Sequence, residues 1–333
     1  EFRRVLFRSH RFLAVLTPNR WIMEFNGIFT NLCMFRFTEP CTLDPDDLAG
    51  ALAKAAFRPC GSQDTFTCGW VPPLGGDGGA LVHAAVGYWL ICLQTEGKVL
   101  PASVIRDAVD KRVAEIEARE SRRVRYKEKK TLKDEVMLDL LPSAFQRRTR
   151  LYAYIDPRGG WLVVNGSPGK AVEEFVSLLR NAAGSLPIAP LRTPRPPDIT
   201  LTDWLESAPP EGWCIGHRAT LREPDEHGAT WVASSADLHN DDTRAHLAAD
   251  QIVTRLAVEW QGRLSCVLGD DHAVRRMRFV DDALEILDDN KAETIAQEID
   301  ARFVFMALEL AEFLPALVEA FGGELSMTTQ GEA

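Results

Sequence analysis

Ten lysines and arginines stand against four glutamates between Lys111 and Lys133, in KRVAEIEARESRRVRYKEKKTLK, a local charge of +6. Cations at this density can neutralise phosphates without further apparatus, although a charge run is often a solvated helix with no partner. Arg147, Arg148 and Arg150 then offset Asp134, Glu135 and Asp139, so residues 111–150 also sum to +6. The whole chain carries −10, which leaves −16 for the remainder. A body this acidic repels polyanions except where positive charge is gathered on one surface. The candidate phosphate contacts here are Arg119, Arg122, Arg123, Arg125, Lys127, Lys129, Lys130 and Lys133. A second set lies in Val274–Val280, read as a strand. Its alternation predicts Arg276 and Arg278 on one face, with Arg275 pointing alongside Met277 and Phe279. Across the two sets arginine outnumbers lysine, which suits bidentate phosphate contact. No helix-turn-helix, zinc finger or RNP-like aromatic motif is visible, so any binding is expected to be independent of base sequence.

Other chemistry finds little support. The doublets Asp46-Asp47, Asp241-Asp242, Asp270-Asp271, Asp281-Asp282 and Asp288-Asp289 could hold hard cations for a metal-dependent nuclease. Each falls at a predicted helix start or turn, where aspartate caps backbone N–H groups anyway. The seven histidines form no HExxH pair, and no GxSxG elbow occurs. His83, inside an apolar run, reads as a partnered core histidine. The Gly75–Gly79 loop is followed by no GK[ST] and reads as a turn. The seven cysteines are Cys33, Cys41, Cys60, Cys68, Cys92, Cys214 and Cys266. The first four are spaced C-x7-C-x18-C-x7-C, without the close pair of a structural zinc site, and reduced thiols are expected. No catalytic residue, metal or cofactor is expected.

The elements that would position the cations follow from periodicity. Asn31–Phe37 reads as a strand, and Asp44-Pro45 starts a helix with Leu48, Leu52 and Ala56 on one face. Leu81–Leu93 reads as a buried strand or core segment, too short to span a membrane. From Ser103 the helical stripe runs Ile105, Ala108 or Val109, Val113, Ile116 and then stops. Residues 119–130 offer only Val124 and Tyr126 among the charges. Thr131 and Asp134 signal a second helix with Leu132, Val136 and Leu140, ended by Pro142. A helix without an apolar stripe cannot lie on a core, so the basic middle is expected to project as an arm or hairpin tip. Leu151–Asp156 and Trp161–Asn165 form a hairpin, followed by a helix from Ser167-Pro168 to Ala183. The Pro-rich run 187–197 reads as a linker or extended crossing, and Thr202 as the cap of a short helix. Trp213–Val232 reads as strands around a loop at Pro224–Gly228. A helix is expected from Asp241 to about Trp260, then a hairpin of Arg263–Leu268 with Val274–Val280, then a long helix from about Ala292 to Phe321. The class is α+β, with mixed, largely antiparallel sheets.

The expected organisation is a non-native or disordered extension over 1–22, an N-terminal α/β lobe over 23–102, and a helical basic arm over 103–145. A ββαβ central lobe with the Pro-rich linker follows over 146–197, then a C-terminal α+β lobe over 198–324 and a disordered tail over 325–333. Met23 is the expected native start. The expected location is cytoplasmic and nucleoid-associated, without membrane attachment.

Several blocks together resemble the RdgC family of recombination-associated bacterial proteins. They are FRPCGSQDTFTCGWVPP (57–73), LKDEVMLDLLPSAF (132–145), SLPIAPL (185–191), LTDWL (201–205) and FVFMALELAEFLPALVEAFGGE (303–324). They lie in family order over about residues 28–324. The resemblance implies a non-enzymatic DNA-binding protein, horseshoe-shaped, pairing head-to-head and tail-to-tail into a ring homodimer around duplex DNA. It further implies antagonism of RecA-promoted recombination; double-stranded DNA is the expected ligand, and whether single-stranded DNA binds as well stays open at this point. By the same resemblance Phe145 sits at one dimer gate and the family's basic arm falls on Arg119 to Lys133. At ASSADL (233–238) some relatives carry Lys and Gln where this chain has Ser235 and Ala236. Residues 1–22 have no counterpart. Two other readings stay open beside this one: a protein-interaction factor whose basic arm docks acidic partners, and the metal-dependent nuclease.

Overall fold

The computed structural model describes residues 26–76, 78–225, 228–234, 237–280 and 292–325. Residues 1–22, Ser235, Ala236 and the doublets Asp281-Asp282 and Asp288-Asp289 lie outside the described residues, as does nearly all of the expected tail. Among the described residues the chain folds as α+β, with two antiparallel sheets and seven helices. The first sheet takes β1 (Cys33–Phe37), β2 (Phe66–Val71), β3 (Val82–Ala85), β4 (Tyr88–Val99), β5 (Phe145–Asp156), β6 (Trp161–Val164) and β7 (Ile188–Pro190). Their spatial order is β2-β4-β5-β6-β1-β7, with β3 also on β4. The helices of this half are α1 (Pro45–Ala53), α2 (Ala102–Glu120), α3 (Tyr126–Leu140) and α4 (Lys170–Ala183). Then come α5 (Pro197–Glu206), β8 (Trp213–Arg222), β9 (Thr230–Ser234), α6 (Asp241–Ala248), β10 (Ile252–Trp260), β11 (Leu264–Gly269), β12 (Val274–Phe279) and α7 (Ile295–Ala320). The second sheet is ordered β12-β11-β10-β8-β9.

The first sheet is covered on both faces, which explains why Trp89–Leu93 of β4 is buried without alternation. One face packs under α1 and α4. Asp44 caps α1, its carboxylate accepting from the Asp46 N–H at 2.9 Å and the Asp47 N–H at 3.4 Å. Val172, Phe175, Val176 and Leu179 of α4 repeat at helical spacing and bury against the sheet, with Phe175 edge-on to Trp70 at 5.3 Å. The other face packs on α7, which also supports the second sheet. Phe303 meets Tyr154 of β5 at 6.2 Å, while Phe313 meets Trp213 and Trp260 at 5.7 and 5.5 Å. Thr294 and Gln297 close a reciprocal capping box at the start of α7. The sheets are also stitched directly: the Leu32 N–H donates to the Val274 carbonyl at 2.8 Å and the Val274 N–H returns to Leu32 at 3.1 Å.

Four expectations need correction. The run Leu81–Leu93 is a hairpin, β3 and β4, turning at Val86 and Gly87 with φ of +52° and +91°. Gly87 adopts this conformation freely, whereas the β-branched Val86 does so at a cost. The helix expected from Asp241 to Trp260 ends at Ala248, and Ile252–Trp260 is strand β10. No glycine or proline marks that boundary; hydrogen-bonding to β8 and β11 on both sides decides it. Helix α3 begins at Tyr126, so Thr131 is interior, its hydroxyl donating to the Lys127 carbonyl at 3.3 Å. Helix α5 begins at Pro197, and Thr202 inside it accepts from the Val253 N–H at 2.9 Å. Part of the Pro-rich run forms β7, with Pro190 on an edge strand where no donor is needed. Among the described residues no helix is long and apolar enough to cross a membrane.

Candidate nucleic-acid interface

Strands β4 and β5 pair from Trp89–Ile155 out to Val99–Phe145, making a long ribbon. Helices α2 and α3 rise from its far end as an antiparallel hairpin. Ile105, Val109 and Val136 form a small buried cluster between them, with Val113, Met137 and Leu140 packed around it, and Leu132 of α3 is buried as well. Toward the tip, polar links take over. Arg112 pairs with Asp139 at 2.5 Å and Lys129 with Asp110 at 2.7 Å. The Glu117 carboxylate accepts from the Val124 N–H at 2.8 Å. Exposed pairs of this kind each contribute only about 0–1 kcal/mol.

The ribbon is held near its far end by a buried charge. Glu96 of β4 is 0% exposed. Its carboxylate accepts from Arg148 of β5 and, at 2.8 Å, from the Cys60 N–H. Burial alone would raise the Glu96 carboxyl, but these donors outweigh it and hold the group below its ordinary value. Cys60 belongs to the 57–73 block, which folds back along β2. Its Phe57 N–H donates to the Trp70 carbonyl at 3.0 Å. Gly69 permits that approach, since a Cβ there would lie 2.4 Å from the Phe57 Cα.

The structure divides the expected arm contacts into two groups. Arg119 pairs with Glu120 at 3.0 Å, Lys129 with Asp110, and Arg122 with both Glu120 and Glu128 at 2.7 Å. The Arg122 guanidinium grips Glu128 through two parallel hydrogen bonds of 2.7 and 2.8 Å. That grip holds the Glu128 carboxyl below its ordinary value, as hydrogen bonds from Arg119 and Arg122 do for Glu120. Arg123, Arg125, Lys127, Lys130 and Lys133 make no ion pair among the described residues. Within this second group Arg125 still acts on Glu128 through its charge, without forming an ion pair.

The second set of cations differs from the expectation. A bulge interrupts β12, where Ser265 pairs with Arg278 and Val267 with Arg275, leaving two β12 residues opposite Cys266. Arg276 takes the irregular position with φ of +52°. The extra residue shifts the alternation. Met277 and Phe279 face the core as expected, but Arg275 turns outward with Arg278 instead of joining them. Arg275 is bound by Asp271 through a bidentate pair. Arg276 and Arg278 stay exposed and unpaired among the described residues.

Their neighbours were not recognisable as a cluster from sequence. The outer face of the second sheet carries a groove of about 260 Å³ lined by Arg218 of β8, Arg255 of β10, and Arg275 and Arg276 of β12, with Thr220 and Thr230. Arg218 and Arg255 are exposed and have no ion pair among the described residues. Arg222 stands on the same sheet, 4.0 Å from Asp270. The available signal was the alternation of HRATLR and IVTRLAVEW, but reading the latter as helix hid the shared face. No described contact joins the arm cations to those of the sheet.

The remaining candidates resolve plainly. All seven cysteines are free; burial pushes Cys92 to about 12 and Cys33 to about 11. His83 is half-buried and its Nε2 lies 2.6 Å from Asp300 of α7. Among the described residues no three His, Cys, Asp or Glu side chains are grouped to hold a metal ion.

Against known proteins, a family model described as "Putative exonuclease, RdgC" matches residues 28–324. The Recombination-associated protein RdgC of Tolumonas auensis is 41% identical over 297 residues, covering 89% of this chain and 98% of the relative. The protein of the same description from Halorhodospira halophila has the same identity and coverage. That of Psychromonas ingrahamii is 39% identical over 300 residues, covering 90% and 99%.

Proposed function

The chain belongs to the RdgC family, and from that premise we propose that it binds duplex DNA without base readout, as a ring homodimer that restrains RecA-promoted recombination. The observation that carries this reading is the set of unpaired cations on an acidic chain: Arg123, Arg125, Lys127, Lys130 and Lys133 on the hairpin, and Arg218, Arg255, Arg276 and Arg278 on the second sheet. In a twofold dimer each patch appears twice. Phosphates displace condensed counterions when these groups close on them, and each neutralised phosphate adds about −0.9 to the slope of log affinity against log salt. The negative remainder of the surface disfavours side-on contact with DNA and directs it to the patches. A protein acting on chromosomal DNA in this way works in the nucleoid. Salt titration of affinity for a duplex by fluorescence anisotropy is the test; a slope of about −4 or steeper is expected. A flat response would refute the reading.

The dimer contact is assigned to Phe145. It is 86% exposed and pairs across the ribbon with Val99, itself exposed. Such a patch gains about 1.5–3 kcal/mol for each phenylalanine it buries against a twin. Phe145→Ala is therefore expected to shift the protein toward monomer in sedimentation at low concentration; an unchanged dimer would remove this role.

The family description names an exonuclease, so nuclease chemistry is the second reading. Incubating linear DNA with magnesium or manganese decides it: shortening of the strands favours the nuclease, and intact strands favour simple binding.

A further inference from the structure

We propose that Tyr126, at the tip of the helical hairpin, is a stacking platform for an unpaired nucleobase, so that the arm binds single-stranded DNA by a contact that closed duplex does not share. This rests on the DNA-binding reading and adds to it a residue and the contact that residue makes. Tyr126 is 85% exposed, nearly as bare as Phe145. It makes no hydrogen bond or ring contact among the described residues. It is the first residue of α3, following Arg125 in extended backbone. Its sequence neighbours Arg123, Arg125 and Lys127, with Lys130 one helical turn on, are the tip cations that lack ion pairs.

The surroundings select the occupant. A protein partner that buried this ring would also bury four cations that lack ion pairs, which is unfavourable unless it supplied matching anions. A nucleotide brings a planar π-face and an anion in one unit, and the tip offers a ring beside cations. In closed duplex each base face is covered by its neighbours, so a ring must first force a step apart. An unpaired base presents its face without that work. The tip is therefore suited to single strands, frayed ends or gaps, while the sheet groove, with no exposed aromatic ring lining it, serves phosphates alone.

The test measures affinity for three probes: a 20-nucleotide oligothymidylate, an abasic phosphodiester strand of the same length, and a covalently closed duplex. Because Tyr126 is solvent-exposed, its replacement leaves the fold in place. Tyr126→Ala is expected to weaken oligothymidylate binding about tenfold, while the abasic strand and the duplex stay within about twofold. Tyr126→Phe keeps the ring and should match the parent on all three. Unchanged oligothymidylate binding in Tyr126→Ala, or an equal loss on all three probes, would overturn the inference while leaving DNA binding intact. A parent protein that binds none of the probes would bring down the DNA-binding reading itself, and the inference with it.

Discussion

The hairpin tip and the outer face of the second sheet are both rich in arginine, yet they hold it differently. On the tip the cations share helices with glutamates: Arg122 and Lys129 are spent on ion pairs that reach across the hairpin, and Arg119 on its neighbour Glu120. On the sheet, Arg218 and Arg255 are fixed by strands hydrogen-bonded on both sides, with Arg276 at the bulge on the edge strand β12, beyond β11; among the described residues of these strands only Arg275 and Arg222 have acidic partners. Charge density in sequence therefore overstates the tip and understates the sheet. A guanidinium already gripped by carboxylates has little left for phosphate, because binding DNA would first have to break that pair. A guanidinium on a rigid strand also loses less freedom when it closes on a ligand than one at the end of a small hairpin.

The largest expected effect tests the sheet. Changing Arg218, Arg255 and Arg276 together to Ala should lower duplex affinity about a hundredfold near 0.1 M salt and flatten the salt slope by about 2.7. A loss smaller than that of the tip variants would reverse the comparison. Next comes the buried charge near the far end of the ribbon. Glu96→Ala leaves the Cys60 N–H and Arg148 without their acceptor, and a loss of about 2 kcal/mol is expected in urea unfolding. The depressed Glu96 carboxyl makes that difference pH-dependent. It is full above the unfolded-state value near 4.5 and disappears as pH falls through the lower folded-state value. On the tip, Arg123→Ala with Arg125→Ala should reduce duplex affinity about tenfold and the slope by about 1.8. The smallest effect sharpens the contrast: Arg122→Ala alone should change affinity less than about twofold, since Glu120 and Glu128 already neutralise it. A full unit of slope lost in Arg122→Ala would show that the pair opens for DNA.

Much of the architecture was legible because its signals are local. Asp44-Pro45 caps α1 as read, α4 carries its stripe of Val172, Phe175, Val176 and Leu179, and the long closing helix runs within a few residues of its expected ends. The failures occurred where local signals were silent or misleading. Ala249 and Asp250 end α6 without glycine or proline, and Ile252–Trp260 became a central strand through partners on both sides. The Thr131–Asp134 signal was real as a pattern but lay inside a helix already under way from Tyr126.

The candidate site shows the same division. The amino-acid sequence determined by itself that cations are concentrated in 111–133, that no apolar stripe runs through their middle, and that Arg276 and Arg278 stand clear of the core. These follow from composition and periodicity, which each segment carries alone. Tertiary structure decided which cations are free, through carboxylates brought within 4.0 Å across the hairpin. It also brought Arg218, Arg255 and Arg276 from three strands to one groove and turned Arg275 outward by a single bulge residue. Strand register and inter-helix distance depend on residues far apart in the chain, so no reading of one segment at a time could supply them.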